Sequence, residues 1–248
     1  MINIDRVSLC HDSMTILSNY SITIDKGDVV AIMGANGVGK TTLLTALIGS
    51  KSISQGAISV DGVIGYVPQL FDMPFSYSVL DIVLMGRARY LGLTKTPNSN
   101  DFGLARYYIE MMQITHLSER NFNQLSGGQK QLVMIAQALT SQCDVLILDE
   151  PFSSLDYHNQ TIVLDKIRQL NQELGMTVVY TTHMPQHAIE TASHVLLMSG
   201  KSEYLYGTTS DTLTSQSLTA LYGIEVGVAV FQSDQSITLA PRFKRSFL

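Results

Sequence analysis

The sequence predicts an α/β fold in which buried β-strands alternate with helices, and three observations predict it. Short runs that are almost wholly apolar or β-branched, 145–148 and 177–180 above all, have the composition of central strands covered on both faces. A glycine-rich stretch joins the strand pattern of 29–33 to the apolar helix pattern of 43–48. Between 71 and 139 the strand patterns vanish and helical periodicity takes over, which marks a helical insert.

Taken in order, strands are expected over 2–9, 21–24, 29–33, 57–60, 63–67, 145–148, 177–181 and 195–198. Turn residues close several of them: Asp25-Lys26-Gly27-Asp28, Asp61-Gly62 and Ser199-Gly200. Helices are expected over 79–89, 102–112 and 128–139, with 92–100 a loop by composition. After Gly200 come short amphipathic pieces and weak alternation, then Arg242-Phe243-Lys244-Arg245, read as a solvated basic tail.

The composition excludes several classes. A chain of 248 residues that is 45% apolar, with 18 Gly and 6 Pro, is folded and globular, not disordered, collagenous or disulfide-stapled. Its 16 basic and 21 acidic residues leave a net charge of −5 without a dense Lys/Arg run, so no nucleic-acid partner is expected. No window approaches the ~18 apolar residues of a membrane span, and no basic region precedes an apolar stretch at the start. A soluble chain that is not exported is the expectation. Cys10 and Cys143 lie far apart without metal-ligand spacing and are expected to be buried thiols.

Gly34-Ala35-Asn36-Gly37-Val38-Gly39-Lys40-Thr41 follows a strand and opens a helix, the order a phosphate-binding loop requires. Its glycines let successive N–H groups turn toward one oxyanion cluster, Lys40 reaches the outer phosphates, and the Thr41 hydroxyl suits Mg²⁺. The strand 145–148 ends in Asp149-Glu150, where α/β sheets bind ligands; Asp149 is placed for Mg²⁺ and Glu150 to polarise the attacking water. Leu125-Ser126-Gly127-Gly128-Gln129 precedes a helix, and Ser126 with Gln129 fits a capping box. Capping leaves the double glycine unexplained; a helix end bare enough for a phosphate explains it. His183 and His187 stand four apart, but Pro185 makes one helix through both awkward, which argues against a zinc pair. His183 instead ends a buried strand, where a phosphate-sensing role suits it. His116, His158 and His194 are expected to be structural or surface residues.

Over nearly all of 1–207 these residues resemble the ATP-binding-cassette (ABC) ATPases. Six motifs occur in that family's order: Gly34 to Thr41 as Walker A, Gln69 as the Q-loop glutamine, Leu125 to Gln129 as the signature, Val145 to Glu150 as Walker B, Ser154-Leu155-Asp156 as the D-loop and His183 as the switch histidine. The resemblance implies a P-loop NTPase fold: a RecA-like core with an antiparallel β part and a helical ABC subdomain at about 71–140. The ABC domain then spans 1–207 and 208–248 is a short appendage. It also implies that Glu150, His183 and Gln69 are catalytic. ATP is held by Gly34, Asn36, Gly37, Gly39, Lys40, Thr41 and Thr42, and by Ser126, Gly128, Gln129 and Asp156. Mg²⁺ is held by Thr41, Gln69 and Asp149. Where the family carries an aromatic residue to stack on adenine, this chain has His11, which offers less area; Leu132 and Gln137 stand where many members have arginines.

The implied working unit is a head-to-tail dimer of two copies, each ATP lying between one copy's Walker A loop and the other's signature. The implied partners are a membrane permease docking near 71–77 and a substrate-binding protein, with the subunit peripheral on the cytoplasmic face of the membrane. Gln69 falls 29 residues after Lys40, a short spacing, and with Tyr77-Ser78-Val79-Leu80-Asp81 onward it resembles importers of iron-siderophore, haem and cobalamin, their molybdate or tungstate branch, and zinc or manganese importers. A soluble ABC ATPase acting on nucleic acid or the ribosome is the other class. A repair ATPase needs a long coiled coil where 56 residues separate Gln69 from Leu125, and a translation-associated member normally carries two cassettes.

Overall fold

In a computed structural model, the chain is described at residues 1–12, 14–69, 75–91, 95–231, 233 and 237–243. The first elements are β1 (Ile2–His11), β2 (Met14–Ile24), β3 (Val29–Gly34), α1 (Lys40–Leu47), β4 (Gln55–Val60) and β5 (Ile64–Val67). Next come α2 (Val79–Met85), α3 (Ala88–Leu91), α4 (Ser99–Met111), α5 (Gly127–Thr140), β6 (Val145–Leu148) and α6 (Tyr157–Leu174). β7 (Thr177–Thr181), α7 (Pro185–Thr191), β8 (His194–Met198), β9 (Tyr204–Thr208), α8 (Thr209–Thr212), α9 (Ser215–Tyr222), β10 (Val226–Val230) and β11 (Ile237–Pro241) complete the order. The chain divides into two compact units, 1–60 with 179–248, and 61–178.

In the first unit β1 is the middle strand of an antiparallel sheet, between β2 and β4. Ile2, Ile4, Val7 and Leu9 are buried, as are Leu17, Tyr20, Ile22 and Ile24 of β2. The alternation breaks where Arg6 (φ +48°) and Asn19 (φ +59°) adopt left-handed backbone beside register shifts, the geometry of a bulge. β3 pairs in parallel with β8, and Val29–Gly34 is buried throughout, so its side chains meet apolar neighbours on both faces. β9 adds antiparallel to β8 and is tied to β2 by tyrosines. Tyr20 stacks on Tyr204 with centroids 4.3 Å apart, and Tyr206 Oη donates to Thr23 O at 2.9 Å. The C-terminal pieces form α9 and the β10–β11 hairpin. Arg242 does not hang free: its Nη1 is 2.9 Å from Glu225 Oε1 and its N–H donates to Glu225 O. Lys244 and Arg245 lie outside the described residues.

In the second unit β5 pairs in parallel with β6, and between them in sequence lie helices. Among the described residues of 71–139 no strand occurs. Three helices begin with capping boxes that the sequence writes out: Ser78 with Asp81, Asn98 with Asp101, and Ser126 with Gln129. The expected helix 79–89 is interrupted after Met85 and resumes at Ala88. A methyl group on Gly86 would stand 2.1 Å from Gln137 O, so glycine lets the α2 end lie against α5. Arg87 then joins three elements, with Nε 2.8 Å from Asp101 Oδ1 and Nη1 donating to Thr140 O at 3.1 Å. The Asn98 N–H and the Arg87 guanidinium hold the Asp101 carboxyl below its usual range.

Cys143 is buried, and burial pushes its thiol up to about 11, whereas Cys10 is half-exposed at the end of β1. Among the described residues no helix is long and apolar enough to cross a membrane.

Candidate functional site

In the first unit the buried strand β3 delivers the chain to Gly34, and α1 begins at Lys40. Gly39 has φ +110°, and a Cβ there would stand 2.8 Å from Ile16 Cγ2 and 3.1 Å from Leu17 Cδ2. Backbone conformation and the press of β2 therefore both demand glycine. The N-caps of α2, α4, α5 and α6 each accept a backbone N–H with a side chain; α1 starts at Gly39 with no such cap and no acidic residue in its first turn. A helix end of this kind, with its first N–H groups uncapped by a side chain, has the chemistry an anion suits. Lys40 is buried and its Nζ donates to Gly34 O at 3.0 Å and Ala35 O at 3.1 Å, folding the ammonium over the loop. Asn36, Gly37 and Thr41 are exposed and Thr42 is half-buried.

His183 is exposed on the short segment between β7 and α7. Thr182 N–H donates to Ile32 O at 3.0 Å, so this segment leaves the sheet beside β3. The His183 carbonyl accepts from Tyr222 Oη at 3.3 Å. His187 is buried on α7 with Nδ1 2.9 Å from Thr182 Oγ1; His183 precedes the helix, so the two histidines do not share one helix face. His11 is exposed at the end of β1, its Nδ1 3.4 Å from Lys51 Nζ.

Burial pushes the His187 imidazole down to about 4. The unfolded chain takes up that proton below about pH 6.5. Between these values the unfolded state binds more protons, so stability falls as pH falls, by up to roughly 3 kcal/mol for this group. His187→Gln is expected to flatten that dependence; urea unfolding at pH 7.5 and 4.5 checks it, and equal losses in both proteins would remove His187's share.

In the second unit the parallel pairing of β5 with β6 brings their carboxyl ends side by side. Gln69 follows β5, Asp149 and Glu150 follow β6, and Gln69 Nε2 donates to Glu150 Oε2 at 3.3 Å. Asp149 is 4% exposed and its N–H donates to Val67 O. Glu150 adopts φ +49°, and its carbonyl accepts from the N–H and hydroxyl of Ser153 at 3.1 and 2.9 Å. Three of the expected residues are thus gathered at one strand end, with a carboxamide oriented by a carboxylate.

Ser126 caps α5, its N–H donating to Gln129 Oε1 at 3.1 Å and its Oγ accepting from Gln129 N. Asp156 caps α6, accepting from Asn159 N at 2.8 Å and Asn159 Nδ2 at 2.9 Å. Ser126 is exposed, but Gly128 is buried against Asn159, and Gly127 faces Leu155 and Ser154. Packing therefore accounts for glycine at 128, whereas a methyl group at 127 would ask only a small shift of the Leu155 side chain. No signal in the sequence points to Asn159, because its partner Gly128 lies 31 residues away. Leu132 is buried and Gln137 half-buried.

The family model described as ABC transporter matches residues 17–153. The molybdate import ATP-binding protein MolC of Haemophilus influenzae is 45% identical over 207 residues, 84% of this chain and 81% of that one. The manganese transport system ATP-binding protein MntB of Bacillus subtilis is 32% identical, over 90% and 92% of the two chains. A solved inward-facing conformation of a metal-chelate type ABC transporter superposes with a TM-score of 0.93 at 39% identity, over 98% of both chains. With the uncapped glycine loop, the Gln69–Glu150 pair and the capped signature turn, these likenesses show that the chain belongs to the ATP-binding subunits of ABC transporters, P-loop ATPases that bind ATP and couple its hydrolysis to transport.

Proposed function

We propose that this ATPase powers import of a molybdate-type oxyanion or a metal chelate through a separate membrane permease. The observation that carries it is the 45% identity with the molybdate import protein over 84% of the chain; the fit to the metal-chelate type transporter supports it. The catalytic unit lies within 1–207, and two copies close on two ATP molecules. In each, the 34–42 loop of one copy holds the phosphates through backbone N–H groups and Lys40, while Ser126, Gly128, Gln129 and Asp156 of the other complete the site. Glu150 takes the proton of the attacking water, Gln69 orients Glu150, and His183 holds the γ-phosphate end. His11 lies beside the adenine. The Thr41 hydroxyl, the Asp149 carboxylate and the Gln69 carbonyl are hard oxygen donors of the kind Mg²⁺ takes; when bound, that ion neutralises charge on the β- and γ-phosphates.

The subunit works on the cytoplasmic face of the membrane, with a substrate-binding protein on the other side. Residues 71–74 of the docking segment lie outside the described residues, but Phe75 is 66% exposed, its ring 6.1 Å from that of Tyr77. An aromatic side chain that covers no core suits a partner surface.

Vesicles carrying the permease and this subunit, loaded with ATP, are the test. Molybdate or a ferric chelate is expected to accumulate, and Phe75→Asp to abolish both uptake and co-purification by placing a charge in a desolvated contact. ATPase of the purified variant should stay near wild type with an unchanged melting temperature. A variant that is inactive and destabilised on its own would mean that Phe75 packs internally; uptake of manganese alone would overturn the cargo class.

A further inference from the structure

The second of the two glycines after Ser126, Gly128, has an explanation inside this chain. A methyl group on Gly128 would stand 2.4 Å from Asn159 Oδ1, 2.6 Å from its Cγ and 2.9 Å from its Cβ, all closer than a real side chain approaches. One on Gly127 would touch Leu155 Cδ2 at 3.3 Å and Ser154 O at 3.5 Å. The turn that opens α5 therefore lies bare-backed against the segment 154–159.

That segment is held in place from within. Asp156 Oδ1 accepts both the N–H and the Nδ2 hydrogen of Asn159, which fixes the carboxamide at the start of α6. Gln160 Nε2 donates to Leu155 O at 3.0 Å and clips the loop in front of it. Anchored at both its backbone and its side chain, Asn159 loses the rotamer freedom a surface asparagine would keep and acts as a fixed wedge under Gly128.

We propose that Asn159 is a positioning residue for ATP hydrolysis. It seats the Ser126–Gln129 turn on the Asp156 loop, so that Ser126 and the amino end of α5 meet the second copy's ATP at a set angle. The assignment rests on the reading above, in which this turn acts across the dimer. Asn159 works through Gly128 and Asp156, so its removal loosens the turn and leaves the 34–42 loop of its own chain untouched.

Steady-state ATPase of the full-length dimer, ATP binding by the isolated subunit and melting temperature together test this. Asn159→Ala is expected to lower kcat by roughly tenfold or more, the scale of a small misplacement of a reacting group, with subunit ATP affinity and melting temperature held near wild type. Gly128→Ala is expected to lower kcat further. Adding Asn159→Gly, which clears all three atoms a methyl at 128 would strike, is expected to return much of that loss. If glycine is needed at 128 solely for phosphate approach, Asn159→Gly returns nothing, and that outcome overturns the proposal. So does a fall in Asn159→Ala activity that vanishes when both proteins are assayed well below the variant's melting temperature. Ser126→Arg separates the two levels. If it leaves ATPase unchanged, the trans-acting reading fails; if it abolishes ATPase while Asn159→Ala matches wild type, that reading stands and the positioning role falls.

Discussion

Glu150→Gln is expected to slow ATP hydrolysis by at least about a hundredfold, the scale of general-base catalysis, while ATP still binds and holds the dimer closed. The substitution keeps the shape of the side chain and removes the one property the proposed step requires, a carboxylate that can take a proton. Glu150 lies one residue past the buried Asp149, and its carboxylate accepts from Gln69, so that neighbour needs an acceptor there. An amide at 150 can rotate to accept from Gln69 and preserve the local structure. Single-turnover phosphate release measures the rate, and size exclusion with ATP detects the trapped dimer. Wild-type turnover in this variant would take the general-base role from Glu150.

Ser126→Arg is expected to abolish ATP-dependent dimer formation and leave nucleotide binding by the isolated subunit nearly unchanged. Ser126 is exposed at the head of α5 and makes its bonds within its own capping box, so the arginine meets solvent in the monomer and, in the proposed dimer, the partner's phosphates. The expected size is loss of nearly all turnover, since a bulky cation would stand where the partner's nucleotide docks. A mixed dimer of a Ser126→Arg copy with a Lys40→Ala copy decides the geometry. If the signature acts in trans, one site keeps an intact Lys40 and an intact Ser126 and activity survives at about half the normal level; if it acts in cis, no intact site remains. A collapse of ATP affinity in the isolated subunit would sink the trans assignment.

The parts of the fold that were legible are those whose cause is local. Strands β3, β6 and β7 read directly from apolar and β-branched runs, because burial on both faces leaves no polar position to confuse the period. The helix start at Ser126 reads from its own side chain, and the start at 79 from the apolar period that follows Ser78. The long helix α6 went unread: its buried stripe is Val163, Leu164, Lys166, Ile167 and Leu170, and a lysine in the stripe with Asn, Gln and Arg around it hides the period. Lys166 is tolerated there because its Nζ reaches Met111 O at 2.8 Å and Gln169 Oε1 at 3.1 Å, contacts that no pattern along the chain announces. β9 was likewise invisible, since its hold on β2 comes from tyrosine hydroxyls across about 180 residues. At the site, the glycine-rich loop and the acidic pair 149–150 stand out by residue type, and each follows a buried strand as the run before it predicts. The reason for Gly128 did not follow from them, because it lies in another helix.

The left-handed backbone at Glu150 sets chemistry against persistence. A non-glycine residue at φ +49° carries a conformational cost of about 1 kcal/mol or more that glycine would shed and asparagine would lessen. If Glu150 takes the proton of the attacking water as proposed, hydrolysis requires glutamate at this position against the pull of a more stable chain. A duplicated copy released from transport would therefore drift at 150 toward Gly or Asn, gaining stability as it lost turnover, and would survive as a nucleotide-holding relic with its glycine loop intact.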